Sequence, residues 1–373
     1  MQKNAQKIKS QLFFLFSKIF LTIFLMGGLF GCQSSSSLEA PVSVKKRPLI
    51  IGHRGAPGTY PDHTLESYRE AIRQGADVVE PDLVITKDGV LICRHENDLS
   101  QTTNVSKVFP QRKKTKTIDG RKITGWFSED FTLKEIKQLR VRQPLAFRPQ
   151  QYNDLFLIPT FDELLSMIID ETSISNRTIG VYPETKHPSY FQGIKLPLEE
   201  ALLLALKKRG FPKNQSPVFI QSFEISNLKQ IKSSQNYSSE YKLVQLFGEG
   251  RIRPYDQVLL KLPTTYENMM TNEGLEQIKT YADGIGPWKR LIREESLDKS
   301  LLPPNNLVSR AQGFGLFVHV YTFRDEKNYL STSYQEKPEN EYFDYFDLGV
   351  DGVYSDFPAT AKRARDIWMG QEE

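Results

Sequence analysis

Residues 76–96 read Ala-Asp-Val-Val-Glu-Pro-Asp-Leu-Val-Ile-Thr-Lys-Asp-Gly-Val-Leu-Ile-Cys-Arg-His-Glu. Two apolar, β-branched runs, 76–86 and 90–95, stand on either side of Lys87-Asp88-Gly89. Three residues are too few for a parallel crossover, so the pair predicts a hairpin. Inside the first run Glu80 and Asp82 interrupt an otherwise buried pattern. Strand residues two apart share a face, so both carboxylates project the same way. Two like charges on an inward face repel unless a cation or protons intervene, or basic side chains such as Arg54 and Lys186 pair with them.

Outward from this segment the same kind of run recurs at 48–52, 178–184, 217–222, 242–247, 283–286, 316–322 and 352–355. Helical patterns lie between most of them, at 64–74, 160–170, 198–208, 224–233, 272–282 and 306–312, with another at 132–139. Strand–helix alternation predicts parallel βαβ units, and eight of these close a TIM-type (β/α)8 barrel, here over 48–370. The count is nine runs, so one is antiparallel or outside the barrel. Residues 96–157 are long, polar and weakly patterned. They follow the third run and read as a loop or cap insertion over the site, not a second domain. The basic run Arg112-Lys113-Lys114-Thr115-Lys116 within them reads as a solvated loop.

Polar residues gather where the runs end, which in such a barrel is the mouth that carries active sites. The first run ends Gly52-His53-Arg54-Gly55-Ala56, the third Arg94-His95-Glu96, the fourth Tyr182-Pro183-Glu184-Thr185-Lys186 and the fifth Gln221-Ser222-Phe223. Glu184 adds a third carboxylate to Glu80 and Asp82. An all-oxygen set without cysteine favours a hard divalent cation, Ca²⁺ or Mg²⁺, over zinc. Two of the five histidines, His53 and His95, end neighbouring strands, and an imidazole pair divides acid and base roles near neutral pH. Arg54 suits phosphate oxygens and Lys186 adds charge. Together these residues describe a site for cleaving a phosphate ester.

At these residues the chain resembles the glycerophosphodiester phosphodiesterase family, especially its secreted bacterial branch. The motifs that carry the resemblance begin with His53-Arg54-Gly55-Ala56, Pro61-Asp62-His63-Thr64-Leu65-Glu66 and Glu80-Pro81-Asp82-Leu83. His95, Tyr182-Pro183-Glu184-Thr185-Lys186, Gln221-Ser222-Phe223, Tyr281-Ala282-Asp283-Gly284 and Asp351-Gly352-Val353-Tyr354-Ser355-Asp356-Phe357-Pro358 follow in order. Asp62 and Glu96 depart from the Glu and Asp commoner at those places. The resemblance implies hydrolysis of glycerophosphodiesters such as glycerophosphocholine or glycerophosphoethanolamine to glycerol 3-phosphate and an alcohol. It implies attack by the substrate's own neighbouring hydroxyl to form a cyclic phosphate, which water then opens. His53 is assigned as the first base and His95 as the acid, an order that the residues themselves leave open. One divalent cation, Ca²⁺ before Mg²⁺, would be held by Glu80, Asp82 and Glu184. Substrate contacts would come from Arg54, Lys186, Gln221, Trp288 and Tyr321, with Phe223 as a further wall.

The N-terminus carries an address. Residues 1–11 are polar and basic, 12–30 mostly Leu, Phe and Ile, and 29–32 read Leu-Phe-Gly-Cys. This is the order of a secretory signal, and its ending resembles the bacterial lipobox. The expectation is a signal peptide at 1–31, lipidation of Cys32 and a flexible tether at 32–47. The clean apolar stretch, 19–31, is short of the roughly 20 residues a spanning helix needs. The protein is therefore expected to be exported and lipid-anchored on a periplasmic or outer-membrane face. Gln33 after the cysteine, in place of Asp, favours the outer membrane in a host that has one. With Cys32 acylated, Cys93 stands alone, so no disulfide framework is expected.

The formal net charge of +4 suggests no nucleic-acid partner. Lys3, Lys7, Lys9 and Lys18 fall in the signal, which leaves 45 basic residues against 45 acidic ones. Three rivals remain at this level. Bacterial phosphatidylinositol phospholipase C uses two histidines but lacks the carboxylate set. A barrel of the sphingomyelinase D type acts on intact lipids and needs an apolar approach surface. A surface lipoprotein could serve as an adhesin. The oligomeric state is not legible.

Overall fold

The computed structural model describes residues 46–212 and 216–371. The expected signal, Cys32 and all of the tether except Lys46 and Arg47 lie outside the described residues. The first apolar run becomes strand Leu49–His53 (β1). The run with the two carboxylates is split at Pro81, which has no N–H for the ladder, into Val78–Glu80 (β2) and Asp82–Ile85 (β3). Leu91–Cys93 (β4) pairs antiparallel with β3, as the three-residue link predicts. Lys114–Ile118 (β5) and Arg121–Gly125 (β6) form a separate hairpin within residues 96–157. The run at 112–116 is therefore no free loop. Lys114 and Lys116 bridge Asp130, and Lys116 also bridges Glu129.

Pro183 divides the next run into Gly180–Val181 (β7) and Glu184–Thr185 (β8). Phe219–Ser222 (β9), Lys242–Phe247 (β10), Gly284–Pro287 (β11), Phe317–Phe323 (β12) and Gly352–Ser355 (β13) complete the set. The two prolines interrupt strands without interrupting the sheet. Tyr182 N–H donates to Val79 O, Glu184 N–H to Pro81 O and Gln221 N–H to Pro183 O, at 2.9, 2.9 and 3.0 Å. Counting β2–β3 and β7–β8 as one stave each, eight parallel staves follow one another. The ring closes where β13 pairs with β1. The (β/α)8 barrel expected from the pattern is what forms, and β4 is the ninth run. The insertion leaves from β4 and so lies between the second and third staves.

Helices return the chain outside the ring at Leu65–Arg73, Phe161–Ser175, Glu199–Lys208, Ile225–Ser233, Asn272–Lys279, Leu307–Gly313, Pro338–Asp347 and Pro358–Trp368. Their starts follow local chemistry. Thr160 and Glu163 form a reciprocal capping box, and Thr64 accepts from Ser67 N–H; such caps stabilise by about 1 kcal/mol each. Cys93 is free and buried in the apolar core.

Inside the ring, Ile51, Val78, Tyr182, Phe219, Val244 and Tyr354, from six different staves, pack into one apolar layer. The strand period of two then decides the next layer. Two residues further along the same staves stand His53, Glu80, Glu184, Gln221, Leu246 and Asp356. The apolar layer plugs the barrel, and five polar groups stand above it at the mouth.

Candidate active site

The turn after β1 presents the first two groups. Arg54 and Gly55 both take left-handed backbone angles, φ 57° and 95°. Arg54 N–H donates to Glu80 Oε2 at 2.8 Å. Its guanidinium Nε lies 3.3 Å from Asp82 Oδ2. His53 is buried, and its Nδ1 lies 2.6 Å from Asp356 Oδ1. Burial disfavours the Asp356 carboxylate, yet Arg324, His53 and Arg148 hold it well below the usual range. An ionised carboxylate only accepts, so His53 carries its proton on Nδ1 and keeps a lone pair on Nε2. Burial, then the Arg54 charge, lowers the His53 pKa to about 4, so the ring is neutral at pH 7.

Asp356 is itself pinned. Arg148 donates to its Oδ2 at 2.6 Å and to Glu326 at 2.6 Å, and Arg324 Nε donates to the same Oδ2 at 2.9 Å. Arg148 belongs to the insertion, so that segment reaches the partner of His53.

His95 follows β4, half-buried, across the mouth. Its Nδ1 lies 2.8 Å from Glu96 Oε1, and its Nε2 is 3.3 Å from Lys186 Nζ. Burial, Arg54 and Lys186 push its pKa down to about 3. Glu96 is held in turn by His187 Nε2 at 2.9 Å, and His187 Nδ1 meets Asp119 at 2.6 Å. Asp119 sits at the tip of the β5–β6 hairpin, so the insertion reaches this histidine too.

Oxygen atoms of Glu80, Asp82 and Glu184 lie within 4.8 Å of one another, all three side chains buried. Burial, Asp82 and Glu184 push the Glu80 pKa well up. Burial, opposed by Lys186 and reinforced by Asp82, raises that of Glu184 to about 7. Asp82 resists burial through Lys186, His95, His63 and Arg54, which hold it well below normal. Neutral His63 explains part of this. Its Nε2–H donates to Asp82 at 2.9 Å while Nδ1 accepts from Tyr68 O–H at 2.7 Å. Carboxylates crowded until two are pushed towards protonation, with only oxygen donors, fit a hard divalent cation.

His53, Arg54, Glu80, His95 and Glu184 line one cavity of about 350 Å³. Of the residues expected to touch substrate, Arg54, Lys186, Gln221, Trp288 and Tyr321 all line it, as does Phe223. Two are already committed. Gln221 donates to Glu80 Oε1 at 3.0 Å and accepts from Tyr354 O–H at 2.5 Å, so it orients a carboxylate from behind. Tyr321 O–H donates to Phe247 O at 2.5 Å and offers only its ring. Lys186 is 2.8 Å from Glu184 Oε1. Trp288 is the most exposed of the set, 38% accessible, and its backbone forms a parallel bridge with Tyr321. His319, the fifth histidine, lies buried within the barrel at 3.1 Å from Tyr182 Oη, away from the chemistry.

The sequence pattern assigns no role to Asp356, Arg148, Arg324 or His187. Asp356 stands within one of the family's motifs, and its place in line after Tyr354 was the available signal.

The sequence matches the glycerophosphoryl diester phosphodiesterase family over residues 53–360. The chain belongs to this family. Glycerophosphodiester phosphodiesterase GDPD6 of Arabidopsis thaliana is 37% identical over 350 residues, covering 88% of this chain and 90% of that one. The glycerophosphodiester phosphodiesterase of Haemophilus influenzae is 32% identical over 359 residues, covering 91% and 96%. Among solved structures, a glycerophosphodiester phosphodiesterase from Agrobacterium tumefaciens superposes with a TM-score of 0.53 at 18% identity, covering 85% and 99%. An Oleispira antarctica phosphodiesterase, solved with the product sn-glycerol-3-phosphate, gives 0.56 at 19%, covering 86% and 97%. The glycerophosphodiester phosphodiesterase fold and activity thus extend to this chain, a phosphoric diester hydrolase.

Proposed function

We propose that this enzyme hydrolyses glycerophosphodiesters such as glycerophosphocholine and glycerophosphoethanolamine to sn-glycerol 3-phosphate and the free alcohol, in a cation-dependent reaction through a cyclic phosphate. The observation that carries the reading is the pair of histidines, each with a carboxylate on Nδ1, placed around one cavity with Arg54 and with Glu80 and Glu184 of the acid cluster. A divalent cation held by Glu80, Asp82 and Glu184, Ca²⁺ before Mg²⁺, would neutralise charge on the phosphoryl oxygens.

The side chains divide the work. His53, neutral and with Nε2 free, takes the proton of the substrate's neighbouring hydroxyl as that oxygen attacks phosphorus. Asp356 stabilises the imidazolium that results. His95 gives a proton to the departing alkoxide. At rest burial, with the Arg54 and Lys186 charges, keeps His95 neutral; the incoming phosphodiester anion offsets those charges and raises its proton affinity. Arg54 and Lys186 meet the equatorial oxygens. Water then opens the ring with the histidine roles exchanged.

The test is release of choline and glycerol 3-phosphate from glycerophosphocholine, with Ca²⁺, with Mg²⁺ and with chelator, beside His53→Ala. Cation-dependent release that disappears in the variant supports the reading. Folded protein that cleaves no glycerophosphodiester under any of these conditions sinks it. We also propose export and anchoring through Cys32, supported by the residue order at 1–33; incorporation of labelled fatty acid, absent in Cys32→Ser, is the check.

A further inference from the structure

His95 ends a chain of four side chains drawn from three places in the fold. Its Nδ1 lies 2.8 Å from Glu96 Oε1, Glu96 Oε2 lies 2.9 Å from His187 Nε2, and His187 Nδ1 lies 2.6 Å from Asp119 Oδ2. Glu96 follows His95 after β4, His187 stands just beyond β8, and Asp119 is in the turn of the β5–β6 hairpin. Asp119 Oδ1 is buried and accepts no hydrogen bond among the described residues, so His187 is what holds this carboxylate.

The acceptors fix the protons. Both nitrogens of His187 face carboxylates, which only accept, so both donate and the ring is an imidazolium. Burial opposes that charge, and the two hydrogen bonds outweigh it, raising the pKa to about 9. Glu96 then accepts on both oxygens, from His187 on one and from His95 Nδ1–H on the other. Nε2 is left as the His95 atom that serves the substrate.

Glu96 needs the second hydrogen bond. Its side chain keeps 45% of its surface in water and hangs on two methylenes. Left alone, such a carboxylate changes rotamer, and the imidazole it orients turns with it or changes tautomer. A fixed donor behind it locks the pair. His187 is that donor, itself largely buried and clamped from the other side by Asp119. The opposite histidine needs no such relay, because Asp356 is buried and pinned by Arg148 and Arg324.

We propose that His187 and Asp119 are positioning residues for the acid of the reaction: they hold Glu96 so that His95 presents Nε2 to the departing oxygen, and the hairpin of the insertion thereby completes the active site. The inference rests on the proposed function and on its assignment of His95 as the acid. The consequence is confined to one event. A choline alkoxide needs a proton as its bond to phosphorus breaks, and His95 gives it. A p-nitrophenolate is stable as the anion and leaves without one.

The experiment measures kcat/KM for release of the first product from glycerophosphocholine and from the p-nitrophenyl ester of glycerol 3-phosphate, with the cation that supports activity. Release of the first product reports cyclisation and not the opening of the ring. In His187→Gln and in Asp119→Asn, glycerophosphocholine should lose about 10–100-fold while the nitrophenyl diester stays within about threefold of wild type. His95→Ala should show the same pattern with a larger loss, and Asp356→Asn, which acts through the base, should lower both substrates. The double variant should be no worse than His187→Gln alone, because Asp119 acts through His187. Retained cleavage of the nitrophenyl diester also shows that the variants fold. Equal losses on both substrates overturn the assignment and leave the chain as a staple between hairpin and barrel. Unchanged glycerophosphocholine turnover in both variants overturns it too. So does a pattern in which Asp356→Asn, not His187→Gln, spares the nitrophenyl diester, since His53 would then be the acid. A wild type that cleaves neither diester strikes the proposed function instead.

Discussion

Asp356 Oδ1 accepts from His53 Nδ1 at 2.6 Å, and the two residues lie on adjacent staves where β13 closes against β1. That contact sets which nitrogen of His53 carries its proton. Asp356→Asn removes the charge while keeping the shape, and its amide can hold the wrong tautomer. The expected result is a fall in kcat of roughly 10²–10⁴-fold with little change in KM, by analogy with a carboxylate that orients a catalytic histidine. Steady-state kinetics on glycerophosphocholine, with circular dichroism to show folded protein, make the measurement. A change within twofold would mean that His53 needs no such partner.

The fold was legible because barrel strands write themselves as short apolar runs, and the mouth was legible because polar groups end those runs. Glu80 and Asp82 could be paired from sequence by spacing alone. The Asp356–His53 contact could not, because it depends on ring closure between positions 303 residues apart. Arg148 comes from a stretch without period and meets Glu326 and Asp356 only in three dimensions. The β5–β6 hairpin was missed because Lys114–Ile118 alternates Lys and Thr and buries only Ile118. Its turn was nonetheless written in Asp119-Gly120, whose φ angles of 46° and 77° suit the two-residue turn such a pair favours.

The carboxylate cluster predicts a measurable link between cation and stability. Burial and neighbouring charge raise the pKa of Glu184 to about 7 and that of Glu80 well up. A cation binds the ionised forms, so its affinity should rise as pH rises through 7, with protons released on binding. At a hundred times Kd the folded state gains about 2.7 kcal/mol. Thermal melts with and without millimolar Ca²⁺ should differ by a few degrees, and titration calorimetry in two buffers should reveal the released protons. Glu80→Gln should remove the shift. Identical melts in chelator and in Ca²⁺ would argue that the acids hold no cation.

His187 supplies a pH dependence of the opposite kind. Burial opposes its charge, but the hydrogen bonds it donates to Asp119 and Glu96 outweigh that and raise its pKa to about 9. A pKa raised on folding stabilises fully below the unfolded value of about 6.5 and is lost as pH rises through 9. The full effect is on the order of 3 kcal/mol. The melting temperature of the wild type should therefore exceed that of His187→Gln most at pH 6, and the gap should shrink by pH 9.5. A gap that stays constant over that range would assign His187 a packing role without titration.

Gly55 ties the catalytic turn to the helix beneath it. A Cβ at this position would stand 2.4 Å from Ser67 Oγ and 2.7 Å from the Ser67 carbonyl carbon, and φ is +95°. Gly55→Ala therefore combines backbone strain with a clash against the first turn of Leu65–Arg73. Gly89, in the link between β3 and β4, has φ +81°, and a Cβ there would meet nothing within 4 Å. Gly89→Ala thus isolates the strain, about 1–2 kcal/mol. Gly55→Ala should cost about 1–3 kcal/mol more, because the helix start cannot yield without moving Ala56, whose N–H donates to Ser67 Oγ at 2.9 Å. It should also lower kcat, since His53 and Arg54 ride on the same turn, while Gly89→Ala leaves kcat unchanged. Urea unfolding and glycerophosphocholine kinetics on the two variants give both numbers. Equal costs would mean that the turn relaxes away from Ser67, and the close approach would then carry no weight in holding the site.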